Sequence, residues 1–111
     1  MIMDGHHLLP VFFGGAFIAN ALPHIVSGLM GQPFQTPFAR PRGQGQSSST
    51  INVLWGLANL VAAYLLLFRL GDFHLRESGD AIAFGLGAAL LSLPLAWHFG
   101  RFNGGNRPER P

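Results

Sequence analysis

The chain has 111 residues, 49% of them hydrophobic, with five acids, seven basic residues that are all arginine, and no cysteine. That length suits one domain, and a charged fraction of 11% is about half of what a water-soluble domain carries. Disulfides, thiol catalysis and cysteine metal sites are therefore excluded, and a net charge of +2 carried at segment ends gives no basic patch for nucleic acid.

The first predicted element is an apolar run from about His7 to Met30, long enough to cross a bilayer at 1.5 Å per residue. The start, Met1-Ile-Met-Asp-Gly-His-His, lacks the positive region of a signal peptide, so this span is expected to be retained. Pro10 falls in the first turn, where its missing amide costs nothing. Gly15 and Ala19, with Gly14 and Ala16, offer a face for close helix approach. The same run carries Asn20, His24 and Ser27 at i, i+4 and i+7, one polar face in a segment where an unpartnered polar group is costly.

Residues 31–50 form the longest loop, with Pro33, Pro37 and Pro41 repeating every four residues and Phe34 and Phe38 after the first two. Such a stretch cannot continue a helix. Its rings are expected at the membrane surface or tucked under the bundle, as an interfacial connector rather than a re-entrant or partner-docking loop. Ser48, Ser49 or Thr50 supplies an N-cap for the next helix.

The second span runs from about Ile51 to Arg69 and places Asn52, Gly56, Asn59 and Ala63 on one face. A short polar loop follows, with Ser78 or Asp80 as the expected cap of a third span from about Asp80 to Gly100. There Ala81, Gly85, Ala88, Ser92 and Ala96 make a small-residue stripe that reads as a packing face, and Pro94 is expected to kink or break the last turns. The tail from Arg101 to Pro111 is polar and rich in helix breakers, and is expected to be disordered.

The fold class is thus all-α: a polytopic membrane protein with three transmembrane helices. Arg69 and Arg76 fall on one side, and Arg40, Arg42, Arg101, Arg107 and Arg110 on the other. The positive-inside rule puts the N-terminus outside and the long loop and C-terminus in the cytoplasm.

Counted from the cytoplasmic ends, His24 lies roughly 9 Å deep, Asn59 roughly 12 Å and Asn20 roughly 15 Å. The simplest reading is a hydrogen-bond set joining spans one and two through Asn20, His24 and Asn59. Ser27 and Asn52 complete a polar seam that serves as interhelical glue, binds a small ligand or meets a partner. Haem held by His24 and His98 is disfavoured, because His98 stands roughly 120° from the small-residue stripe and reads as an interfacial residue beside Trp97. A metal site at His6, His7 and His74, with Asp4 or Asp72, is disfavoured for lack of a fixed carboxylate cluster. No cofactor and no enzymatic activity are expected: all five acids lie outside the spans or at their ends, and no phosphate loop or nucleophile triad is present.

The pieces Asn20-Ala-Leu-Pro23-His24, Gly31-Gln-Pro-Phe-Gln-Thr-Pro-Phe-Ala-Arg-Pro41 and Asn52-Val-Leu-Trp55-Gly56-Leu-Ala-Asn59 resemble a group of small uncharacterised bacterial membrane proteins. The resemblance spans most of the chain and implies a multi-pass protein of the bacterial inner membrane. It implies no activity, cofactor or catalytic residue. The leading expectation is an accessory or assembly subunit whose partners are the bilayer and either its own copies or a larger membrane complex. The alternative is an oligomeric transporter or channel with the seam lining its path.

Overall fold

The computed structural model describes residues 5–108, in the order α1 (Leu8–Leu29), β1 (Phe34–Gln35), β2 (Gln46–Ser47), α2 (Ser49–Tyr64), a π-helical continuation (Leu65–Leu70) and α3 (Ser78–Asn103). Three helices are long and apolar enough to cross a membrane, α2 with its continuation counting as one of 22 residues. The core is correspondingly small. Val11, Ala19, Ala21, Ala63 and Leu67 fill it, whereas Leu9, Phe13, Leu54, Val61, Leu86 and Leu93 point outward, where acyl chains replace water as the solvent.

Helix α1 is the spine. It packs along both α2 and α3, which scarcely touch each other, so the bundle is an open V in cross-section. Glycines make both contacts. A Cβ at Gly15 would stand on the Phe84 carbonyl, and one at Gly87 on the Phe12 carbonyl, so α1 and α3 meet backbone to backbone. Against α2, Gly28 faces the Ser49 carbonyl and Val53, and Gly56 faces Ile25. Leu67 fills the space that Gly14 leaves open, at the point where the second span widens from α to π geometry.

The expected stripe on α3 therefore needs correcting. Gly85, Ser92 and Ala96 face outward and the space over Gly85 is empty, while Ala81 and Ala88 are half-buried at the margin of the contact. The inner face of α3 is instead Asp80, Gly87, Leu91 and His98, at i, i+7, i+11 and i+18.

The loop also differs from expectation. Residues 34–47 form a short antiparallel hairpin, Phe34 opposite Ser47 and Gln35 opposite Gln46, folded against the end of the bundle. Its tip is closed by Thr36, whose Oγ1 accepts the amides of Phe38 and Ala39 at 3.3 Å and pairs with Ser47 Oγ at 2.6 Å. Gly43, at φ 73°, supplies the left-handed residue of the return. Ser48 caps α2 by accepting the Ile51 amide at 3.2 Å.

Neither Ser78 nor Asp80 caps α3. Asp80 is buried and accepts His7 Nε2 at 2.7 Å and the His74 amide at 2.8 Å, tying the α1 entrance, the 71–77 loop and α3 together. Helix α3 continues through Pro94 to Asn103 and is closed by Gly104 at φ 83°. Beyond the helix end, Asn106 Nδ2 donates to the Trp97 carbonyl at 2.8 Å. Residues 109–111, the rest of the expected disordered tail, lie outside the described residues.

The backbone contact yields a paired prediction. Gly87→Ala drives a methyl into the Phe12 carbonyl and should cost about 1–3 kcal/mol. Gly85→Ala, the same change facing open space, should be neutral or stabilise by up to about 1 kcal/mol through helix propensity. Thermal unfolding of both variants in detergent measures the difference.

Candidate functional site

The polar residues of α1 and α2 meet at the hairpin end of the V. Antiparallel helices pair residues in reversed order, and Asn20 faces Asn59 while His24 faces Asn52. Asn20 Nδ2 donates to Asn59 Oδ1 at 2.9 Å, and Asn59 Nδ2 returns to the Trp55 carbonyl at 2.8 Å. The expected His24–Asn59 pairing does not form; His24 Nδ1 bonds Asn52 Oδ1 at 2.7 Å.

Asn52 is the hub. Its Nδ2 donates to the carbonyls of Phe34, Ser47 and Ser48, at 3.1, 3.1 and 3.0 Å. Three carbonyl acceptors around one nitrogen fix the amide's orientation, so Oδ1 must face His24. His24 Nδ1 then carries the hydrogen, and in the neutral ring Nε2 is a lone-pair acceptor.

Ser27, the third member of the α1 face, leaves the seam. Its hydroxyl donates to the Gln32 and Pro33 carbonyls, at 3.2 and 3.3 Å, and secures the turn out of α1.

Aromatic rings enclose His24. Phe34 from the hairpin, Trp55 from α2 and Phe99 from α3 stand edge-on to the imidazole at 5.4, 6.4 and 6.1 Å between centroids, and Phe34 and Phe99 touch at 4.6 Å. Phe34 therefore tucks under the bundle, while Phe38 sits exposed against Trp55 at 5.0 Å.

Beside this cluster lies a cavity of about 220 Å³ between α1, α2, α3 and the hairpin, with Asn20, His24, Gln35, Trp55, His98 and Phe99 among its walls. On the lipid side of Trp55 and Phe38, a shallower apolar groove of about 540 Å³ runs along Ile51, Leu54 and Ala58.

His98 is not the interfacial residue expected from the sequence. It lines the same cavity as His24, because the face it shares with Gly87 is the inner one. Arg101 Nη2 donates to its Nδ1 at 2.7 Å, so Nε2 carries the hydrogen and donates to the Gly43 carbonyl at 2.7 Å. Arg101 in turn lies 4.5 Å over the Trp97 ring. Both His98 nitrogens are thus engaged within the chain.

Gln35 and Asn103 complete the wall. Asn103 Nδ2 donates to Gln35 Oε1 at 2.8 Å, joining the hairpin to the last turn of α3. Sequence reasoning did not reach Gln35, Thr36, Gly43 or Phe99 as site residues. Only the hairpin's fold-back brings the first three to the bundle, and a two-residue strand has no periodicity to read.

At the opposite end, His7, Asp80 and His74 form a structural clasp. Among the described residues no group of three or more metal-ligating side chains is placed to hold an ion, and Asp4 lies outside them. No protein-family model matches the chain, and neither a curated protein nor a solved structure matches it.

The hub makes a ranked prediction. Asn52→Ala takes the side-chain donor from the Phe34 and Ser47 carbonyls and the acceptor from the His24 N–H, while the Ser48 carbonyl keeps the Asn52 amide, and should cost about 2–4 kcal/mol. Asn59→Ala, which removes one interhelical bond, should cost about 1 kcal/mol. Asn52→Ala should also free the hairpin, which tryptic cleavage after Arg42 would report.

Proposed function

We propose that this protein is an accessory or assembly subunit of the bacterial inner membrane, without chemistry of its own, that docks on neighbouring helices through α3. The observation that carries this reading is the outward face of that helix. Gly85, Ala89, Ser92 and Ala96 are all exposed at i, i+4, i+7 and i+11, and nothing occupies the space over Gly85. Small residues in that register let another membrane helix approach to backbone contact. Helix α3 also has surface to spare, since only 6% of its most apolar window is buried, against 33% for α1.

The state of the seam supports a structural role over a solute path. Asn20 pairs with Asn59 and the Nδ1 of His24 with Asn52 across α1 and α2, so most of the seam's hydrogen-bonding groups are spent within a single chain. The arginine distribution supports an outside N-terminus, with the hairpin and the end of α3 in the cytoplasm.

Native mass spectrometry of protein extracted in mild detergent tests the reading. The expected result is a complex, either with further copies or with a larger membrane protein. Gly85→Leu together with Ser92→Leu should dissociate it and leave helicity and thermal stability unchanged. A wild-type protein that always appears as a lone chain with lipid would refute the reading.

A further inference from the structure

We propose that the cavity beside His24 is a binding site for a single hydroxylated aromatic ring, the chemistry shared by free phenols and by the head group of a membrane quinol. Three observations carry it.

The first is an unfilled acceptor. His24 is 2% exposed, its Nδ1 is spent on Asn52, and among the described residues its Nε2 has no hydrogen-bond partner. No fully buried side-chain nitrogen or oxygen among the described residues lacks a partner. An unpartnered Nε2 is therefore not sealed off completely, and His24 is one of the residues that line the cavity. A lone pair held this deep asks for an O–H or N–H donor.

The second is the shape and lining of the space. About 220 Å³ is smaller than sites for drug-sized molecules, at roughly 300–1,000 Å³, and suits one ring. Trp55, Phe99 and the His98 imidazole supply aromatic walls, with Leu95 and Pro37 beside them. Such walls favour a flat π-system over an aliphatic polyol or an ion.

The third is a second polar group. Gln35 is 2% exposed and gives its Oε1 to Asn103, leaving its Nε2 as a donor for another oxygen on the ring. No arginine is among the residues that line the cavity, so its wall presents no guanidinium to select an acid. The site is thus made for a neutral ring with one donating hydroxyl and, in a quinol, a second oxygen.

The experiment uses the full chain in nanodiscs with Trp97→Phe, which leaves Trp55 as the only tryptophan of the two in the chain. Phenol, toluene and a short-chain ubiquinol are titrated against its fluorescence. Phenol should quench saturably and bind at least about tenfold tighter than toluene, which has the ring without the donor. In protein labelled with ¹⁵N at histidine, the His24 Nε2 resonance should move as phenol saturates the site. His24→Phe should erase the preference for phenol. Should that variant fail to fold, the phenol–toluene comparison and the ¹⁵N shift decide without it. Ubiquinol binding tighter than phenol assigns the site to a membrane quinol, and phenol binding alone assigns it to free phenols. Equal binding of toluene and phenol, no saturable binding, or an unmoved Nε2 resonance would overturn the proposal.

Discussion

The side-chain amide of Asn52 is the point on which one end of this molecule depends. One nitrogen holds three carbonyls, from the end of β1, the end of β2 and the residue that caps α2, while the oxygen of the same group holds His24 on α1. In water each of these bonds would be worth little, because solvent would replace it. Asn52 is 0% exposed, and an unsatisfied carbonyl there has no water to turn to. The bonds are therefore effectively obligatory, and β1, the β2–α2 junction and α1 are fixed in relation to one another by one residue. The tautomer of His24 follows from the same constraint, which is how a packing residue comes to define the chemistry of the cavity.

The open V explains why such a clasp is needed at each end. With α2 and α3 both leaning on α1 and scarcely on each other, helix packing alone leaves their ends free to splay. The hairpin bridges them at one end through Phe34 on Phe99, Gln35 on Asn103 and Gly43 on His98. At the other, Asp80 is fastened to His7, and Phe73 stacks between Phe68 of the second span and Phe84 of α3 at 5.9 and 5.3 Å. Polar and aromatic contacts thus serve where apolar burial cannot, since lipid solvates leucine as well as a protein core does.

The three helices were legible because charge is excluded from them, and the polar face of α1 was legible from its 3.6-residue period. The partner of His24 was not, because Asn52 and Asn59 are seven residues apart and so share a face; periodicity gives the face and not the height. Helix α3 posed a similar ambiguity. Small residues surround it, so both the Gly85 face and the Gly87 face could have gone inward. The choice lay with the carbonyls of Phe12 and Phe84, which no side-chain pattern records. His98 lies on the Gly87 face and so turns inward with it, not outward as the Gly85 stripe implies. An acid in a first turn commonly caps its helix, whereas here the loop amide of His74 and the His7 ring take the Asp80 carboxylate.

The hairpin carries the same argument one step further. Residues 34–47 have no long strand and no helical period, and their prolines argue only against continuation of α1. What folds this segment back is satisfaction of backbone groups. The Phe34 and Ser47 carbonyls find Asn52, the Gly43 carbonyl finds His98, and Thr36 takes the amides of the turn. A loop that ends at a membrane surface can leave such groups to water; a loop pressed into the mouth of a helix bundle cannot. Each polar residue that looked like a separate candidate site is therefore part of one accounting, in which Asn52, His98 and Thr36 close the loop's unpaired groups. His24 Nε2 and Gln35 Nε2 have no part in that accounting, and both residues line the cavity.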